Sequence, residues 1–146
     1  MRNTIILILI FLAGACNEGN DKTTSIKVNK LNTAKAYIAD GKFMEAYVYL
    51  EDFNKECPDD SRAFYMQGKA LEHLGQDKKA LEHYSKAIHL DSTYARYYHD
   101  RGSIFFDIEN YHDAISDFKK AISIDSNKLE SYNNLALSYT YTDSIS

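Results

Sequence analysis

GKALEHLGQDKKALEHYSKAIHLDS at positions 68–92 and GSIFFDIENYHDAISDFKKAISIDS at positions 102–126 decide the fold. At a shift of 34 residues Gly68 falls on Gly102, Leu71 on Phe105, Ala80 on Ala114 and Tyr84 on Phe118. Ala87 falls on Ala121 and Ile88 on Ile122, and Leu90-Asp91-Ser92 matches Ile124-Asp125-Ser126. A backward shift finds a diverged copy in Ala34, Tyr37, Ala46, Leu50 and Pro58; a forward shift finds half a copy in Tyr132, Ala136 and Tyr139. Self-similarity at such a period marks units that cannot bury their apolar faces alone and therefore stack. Stacked arrays present extended binding surfaces.

Within a unit the apolar spacing is helical. Phe64, Gly68 and Leu71 lie three or four apart, the face of a helix over Ser61–Leu74. Gly75 ends it, since glycine accepts the left-handed cap. A second helix follows over Asp77–Leu90, with Asp77 as N-cap and Ala80, Leu81, Tyr84, Ala87 and Ile88 inward. The same scheme gives Ala95–Ile108 and Tyr111–Ile124, capped by Asn110, and Lys27–Ala39 and Phe43–Glu56 before them. Glycine inside a helix costs about 1 kcal/mol relative to alanine. Gly68 and Gly102 therefore predict close helix crossings, faced by Ala80 and Ala114, with Tyr84 and Phe118 filling the space beside them.

This Gly, Ala, aromatic, Ala order, with its Asp-Ser or Cys-Pro ending, resembles the tetratricopeptide repeat (TPR) family over Lys27 to Tyr141. The resemblance implies an all-α, right-handed α-α superhelix of about three and a half helix–turn–helix repeats, at 27–60, 61–94, 95–128 and a capping half-repeat at 129–142, with a tail at 143–146. Gln67 and Arg101 depart from it, standing where the family often has Leu. Lys30 stands where Phe64, Tyr98 and Tyr132 recur, so the first unit is expected to pack more loosely. The residues leave two readings of 129–142 open. Tyr132, Leu135, Ala136 and Tyr139 form an apolar face that covers the preceding pair, or the segment is the start of a unit whose second helix is missing.

The family's first helices line a concave groove. Carried over by register, the second unit offers Arg62, Tyr65, Lys69, Glu72 and His73, and the third Arg96, His99, Ser103, Phe106 and Asp107. The half-unit offers Asn133 and Leu137. The resemblance thus implies a protein or peptide partner, with Arg62, Lys69 and Arg96 giving the groove a local positive character. The carboxylate clamp of some members (Lys, Asn, Asn, Lys, Arg) is not matched. Its places fall on Leu31, Lys35, Met66, Arg96 and Asp100, or on Tyr65, Lys69, Asp100, Glu130 and Asn134. Two functions remain: an adaptor that binds a peptide segment in the groove, or a structural subunit docking through its convex face or terminal helix.

The first fifteen residues have a different character. Arg2, the apolar run Ile5–Leu12 and the small residues Ala13-Gly14-Ala15 read as a signal peptide. The run is too short for a span of roughly 20 residues. With Cys16 it resembles the lipobox of bacterial lipoproteins, although Ala13 stands where the box usually has Leu. The resemblance implies cleavage before Cys16 and acylation there with chains such as palmitate. The polar stretch through residue 26 then serves as a flexible tether. Asn17 replaces the Asp of inner-membrane retention, which points to the periplasmic face of the outer membrane. Only Cys57 is then left, a single thiol without an internal partner.

Seventeen basic and twenty-one acidic residues give a net charge of −4, with no basic stripe, so nucleic acid is not an expected partner. The histidines are His73, His83, His89, His99 and His112, and none shows the spacing of a helical metal motif. Nucleophile-elbow, phosphate-loop and dinucleotide glycine patterns are missing too. The reading is non-catalytic, with no cofactor and no metal.

Overall fold

A computed structural model describes residues 21–145. The signal-peptide and Cys16 readings lie outside them. The described residues form seven helices: α1 (Asp21–Ala39), α2 (Phe43–Glu56), α3 (Ser61–His73), α4 (Asp77–Leu90), α5 (Ala95–Asp107), α6 (Tyr111–Ile124) and α7 (Leu129–Ile145). Each packs on its successor, and α1 also meets α3, as α5 meets α7. The product is a stack of helical hairpins, the all-α superhelix that the 34-residue period implies.

From α2 to α6 the expected bounds hold within a residue. At the ends they differ. Helix α1 starts at Asp21, inside the stretch read as a tether. Lys27 reaches 3.0 Å to the buried carboxylate of Asp60 at the start of α3, which ties this polar helix to the stack. Helix α7 runs on to Ile145, through the expected tail.

The core forms in three cells along the stack. Leu31, Leu50, Phe53 and Met66 fill the first, Leu71, Tyr84 and Ile104 the second, and Ala95, Tyr98 and Ala121 the third. Cys57 is buried in the first cell.

The two mid-helix glycines sit where helices cross closely. A Cβ on Gly68 would fall 2.6 Å from the ring of Tyr84, and one on Gly102 would fall 3.0 Å from Phe118 and 3.1 Å from Asp117. The aromatic rings thus lie directly over the glycines rather than beside the crossing. Ala80 and Ala114 are fully buried nearby.

Three hairpins turn the same way. The N–H of Gln76 donates to the Leu71 carbonyl and that of Gly75 to Glu72, the hydrogen bonds of a left-handed helix end. Gly41 does the same after α1, and Glu109 after α5. Glycine holds the positive φ in the first two (74° and 68°), but Glu109 holds it at 63°, where a side chain is strained. Two caps differ from expectation. Asp77 is the first residue of α4 and not its N-cap, which is Gln76. Asn110 is the cap position of α6, but its side chain donates to Asp113 rather than accepting a backbone N–H.

The three departures from the repeat pattern find polar partners. Gln67 accepts from Asn54 at 2.6 Å. Arg101 grips Asp117 through two hydrogen bonds, at 2.7 and 2.8 Å, and also donates to Ser85. Lys30 pairs with Glu56 across the first hairpin.

Helix α7 packs on a side that its apolar spacing does not mark. Ser131 and Ser138 are fully buried. They lie seven apart, two helical turns, so they make one stripe of small side chains. Ser138 donates to the Asn134 carbonyl, which leaves no hydroxyl proton unpaired there. Of the expected covering face, Leu135 is half-buried and Lys119 of α6 lies over the Tyr139 ring, while Tyr132 stays 45% exposed, Tyr139 41%, and Ala136 is exposed with them.

A candidate peptide groove

Helices α3, α5 and α7 bring their candidate residues side by side. The Tyr65 ring stacks on Tyr97, centroids 4.8 Å apart, and its hydroxyl donates to Asp100 at 2.7 Å. Burial, helped by the Asp100 charge, pushes the Tyr65 pKa far up and keeps it a neutral donor. Lys69 lies 3.2 Å from Glu72 and 3.8 Å from Asp100. Glu72 accepts in turn from the hydroxyl of Tyr84. His99 Nδ1 is 2.8 Å from Ser131 Oγ, which links α5 to α7. Burial pushes the His99 pKa down, so the ring is neutral in this contact. Ser103 donates to the His99 carbonyl.

At the α3 end, Arg62 wraps Asp60 with Nε at 3.0 Å and Nη2 at 2.9 Å. Asp60 is the N-cap of α3, accepting the Arg62 backbone N–H, and it also receives Lys27. Burial alone would raise this carboxyl, but the hydrogen bonds from Arg62 and Lys27 outweigh it and hold the pKa below the usual value.

Other candidates are drawn aside. His73 stacks on Phe43 at 4.4 Å, almost parallel. Phe106 packs against Tyr111 and Tyr141, which themselves stack 5.4 Å apart. Asp107 is exposed. Partial burial pushes its carboxyl up, with help from the charges of Asp77 and Glu72. Arg96, Asn133 and Leu137 are exposed, and Arg96 makes no ion pair among the described residues.

The expected positive groove is therefore corrected. Arg62 is compensated by Asp60, and Lys69 by Glu72 and Asp100. Arg96 remains the open cation of the three. Sequence reading missed Asp60 and Asp100 as counter-charges. Asp60 before Ser61 carried an N-cap signal, but Asp100 faces Tyr65 and Lys69 only once the repeats stack. His73, His99 and Asp107 do not assemble, and no group of three metal-ligating side chains occurs among the described residues. No described helix is long and apolar enough to cross a membrane.

A second cleft, of about 280 Å³, lies between α2, α3 and α4, walled by Tyr47, Phe64 and His83. Asn54 Oδ1 and His83 Nδ1 are buried at it without a protein partner.

Residues 68–108 match the family model described as TPR repeat, and residues 95–128 match the one described as tetratricopeptide repeat. Solved structures share the fold. A structure titled "Crystal structure of MamA protein" superposes with a TM-score of 0.75 at 24% identity, covering 80% of this chain and 64% of that one. The first TPR of Spaghetti (RPAP3), bound to the HSP90 peptide SRMEEVD, gives 0.76 at 19% identity, covering 80% and 93%. The Sgt2 TPR domain from Aspergillus fumigatus gives 0.74 at 18%, covering 80% and 79%. A UDP-N-acetylglucosamine--peptide N-acetylglucosaminyltransferase of Giardia intestinalis is 31% identical over 77 residues, 53% of this chain and 5% of the enzyme. The chain thus spans a small fraction of that enzyme. Repeat matches and fold agree on a TPR superhelix.

Proposed function

We propose that this chain is a lipid-anchored, non-catalytic adaptor of the bacterial cell envelope that holds a peptide segment of another protein along α3, α5 and α7. The observation that carries the reading is the row Tyr65, Asp100, Lys69 and His99. Side chains from successive repeats are fixed to one another there, so the surface is ordered before a ligand arrives, which lowers the cost of binding. Arg96, whose charge acts on Tyr65 and His99, adds an exposed cation with no ion pair among the described residues. That a structural neighbour was solved with a peptide supports the mode. The ligand differs in kind, because this chain lacks the carboxylate clamp.

Crosslinking pull-down from intact cells tests the adaptor reading. Arg96→Glu should lose the captured protein while the melting temperature stays unchanged. Full capture by that variant argues for the second reading, a subunit that docks elsewhere, which the open face of α7 favours.

Anchoring rests on Ile5–Leu12 and Ala13-Gly14-Ala15-Cys16. Two or more acyl chains give stable membrane attachment. Cys16→Ser should abolish labelling by a fatty-acid analogue and release the protein from the membrane fraction. The chain has two cysteines, and a sulfur in a thioether has no thiol to oxidise, so acylation and a Cys16–Cys57 disulfide exclude each other. Wild-type protein that takes up no label and shows no accessible thiol before reduction would overturn the anchor.

A further inference from the structure

We propose that the cleft between α2, α3 and α4 takes an arginine side chain of a second protein. The next repeat shows why a guanidinium fits. At a shift of 34 residues Phe64 falls on Tyr98, Gln67 on Arg101, His83 on Asp117 and Glu51 on Ser85. In that later unit the chain fills the matching position itself. The Arg101 guanidinium donates twice to Asp117, at 2.7 and 2.8 Å, and once to Ser85, at 2.9 Å. Its carbon lies 5.9 Å from the centre of the Tyr98 ring. One repeat earlier the shorter Gln67 is held by Asn54 at 2.6 Å, and the cleft of about 280 Å³ lies in front of it.

What the cleft presents is a set of acceptors between rings. Asn54 Oδ1 and His83 Nδ1 are buried there without a protein partner, and buried polar atoms are rarely left so. Burial lowers the His83 pKa, so the ring is neutral and can accept at Nδ1. Glu51 stands at the exposed rim, where its carboxylate accepts from Tyr47 at 3.3 Å and makes no ion pair among the described residues. Lys55 beside it is bound to Asp52 at 2.7 Å, which leaves Glu51 as the open charge of the cleft. Tyr47 and Phe64 form the aromatic walls. Phe64 already draws a cation, for the exposed Lys86 lies 5.8 Å from its ring centre. A guanidinium is planar, weakly hydrated and carries five donors, so it stacks on rings and meets several acceptors at once better than an ammonium does. The volume suits a single side chain, being below the roughly 300–1,000 Å³ of a small-molecule pocket. The site is separate from the groove: its α3 members, Phe64 and Gln67, are not groove residues.

N-acetyl-arginine amide titrated into the full chain tests this, followed by the nuclear magnetic resonance signals of the His83 and Phe64 side chains. Both should shift and saturate. N-acetyl-citrulline amide, the uncharged isostere, and N-acetyl-lysine amide should bind at least about tenfold more weakly. Glu51→Gln should weaken the arginine compound by about tenfold, with the melting temperature unchanged. Lys86→Gln should tighten it, since a competing cation is removed. Gln67→Arg supplies the guanidinium from within, as Arg101 does, and should abolish binding in a chain that still folds. Signals that do not move overturn the proposal, for water alone would then satisfy Asn54 and His83. So does citrulline binding as tightly as arginine, and so does wild-type affinity in Glu51→Gln. Free arginine that binds where its N-acetyl amide does not would overturn the protein partner.

Discussion

The inner repeats and α7 carry the same pattern on their first helices and use it in opposite ways. In α3 and α5 the face around Gly68 and Gly102 is closed by an aromatic ring at van der Waals contact or nearer. In α7 the face around Ala136 is open, and the helix is held by serines on its other side. Repeat register therefore says which face wants a partner, and not whether the chain supplies one. Glycine at a crossing records a partner already in place. Alanine at the same position is compatible with either state: Ala34 is sealed in the first unit, in one buried cluster with Leu50, and Ala136 is exposed.

The comparison can be broken most forcefully at Gly68. Gly68→Leu drives a side chain into Tyr84, and overpacking of this kind costs about 1–3 kcal/mol or more. A Cβ at Gly68 would already stand 2.6 Å from the Tyr84 ring, which puts this site at the top of that range. Thermal unfolding should show a loss of several degrees or failure to fold, and an unchanged melt would contradict the crossing.

Ending the chain at Lys128 removes α7 and its serine stripe. That uncovers His99 and the α5–α6 surface around the buried ring of Phe118. Exposing one large apolar side chain costs about 1.5–3 kcal/mol. The shortened protein should aggregate or be degraded, as judged by soluble yield and light scattering. If it stays monomeric and melts with the full chain, α7 contributes nothing as a cover.

At the other end of the stack Asp60 is the pin, buried beneath Lys27 and Arg62. Its folded pKa lies below the ordinary 3.8. Below pH 3.8 the unfolded chain therefore takes up the proton first. The stability is complete above that pH and is lost as pH falls through the depressed folded value. Asp60→Asn should cost roughly 2–3 kcal/mol at pH 7. It should also flatten the acid limb of the stability curve, while an acid limb identical to wild type would show that the pin carries no charge-dependent energy.

The smallest effect is a gain. Glu109 holds a left-handed turn that glycine holds in the other two hairpins. Glu109→Gly relieves strain of about 1 kcal/mol but loosens the unfolded chain, so a net gain of about 0.5 kcal/mol is expected. A lower denaturation midpoint would mean that Glu109 makes compensating contacts.

These contrasts explain what was legible beforehand. Gly68, Gly102, Gly75 and the apolar-Asp-Ser endings mark crossings and turns with residues that have few other uses, so α3 to α6 could be placed within a residue. Asp91 and Asp125 show why the ending recurs: each accepts the backbone N–H two residues on, at 3.0 and 3.1 Å, and fixes the turn between repeats. The packed side of α7 was not legible. Apolar spacing marks the face that ought to be buried, whereas close backbone approach is made by small residues, here serines, that the pattern does not count. The balance of charge in the groove was hidden only in part, since Arg62 and Asp60 lie two residues apart and Lys69 and Glu72 three. Lys69 meets Asp100, and Arg62 shares Asp60 with Lys27, only after helices distant in sequence are stacked.

Among the described residues one repeat position is sealed in the inner units and open in α7. The most direct test pairs Gly102→Leu with Ala136→Leu and follows thermal unfolding of both. Gly102→Leu should melt well below wild type, because its Cβ alone would press on Phe118 and Asp117 at 3.0 and 3.1 Å. Ala136→Leu should melt with wild type, because that side of α7 faces solvent. Equal losses in the two variants would contradict the account, for they would mean that a helix of this chain already covers Ala136.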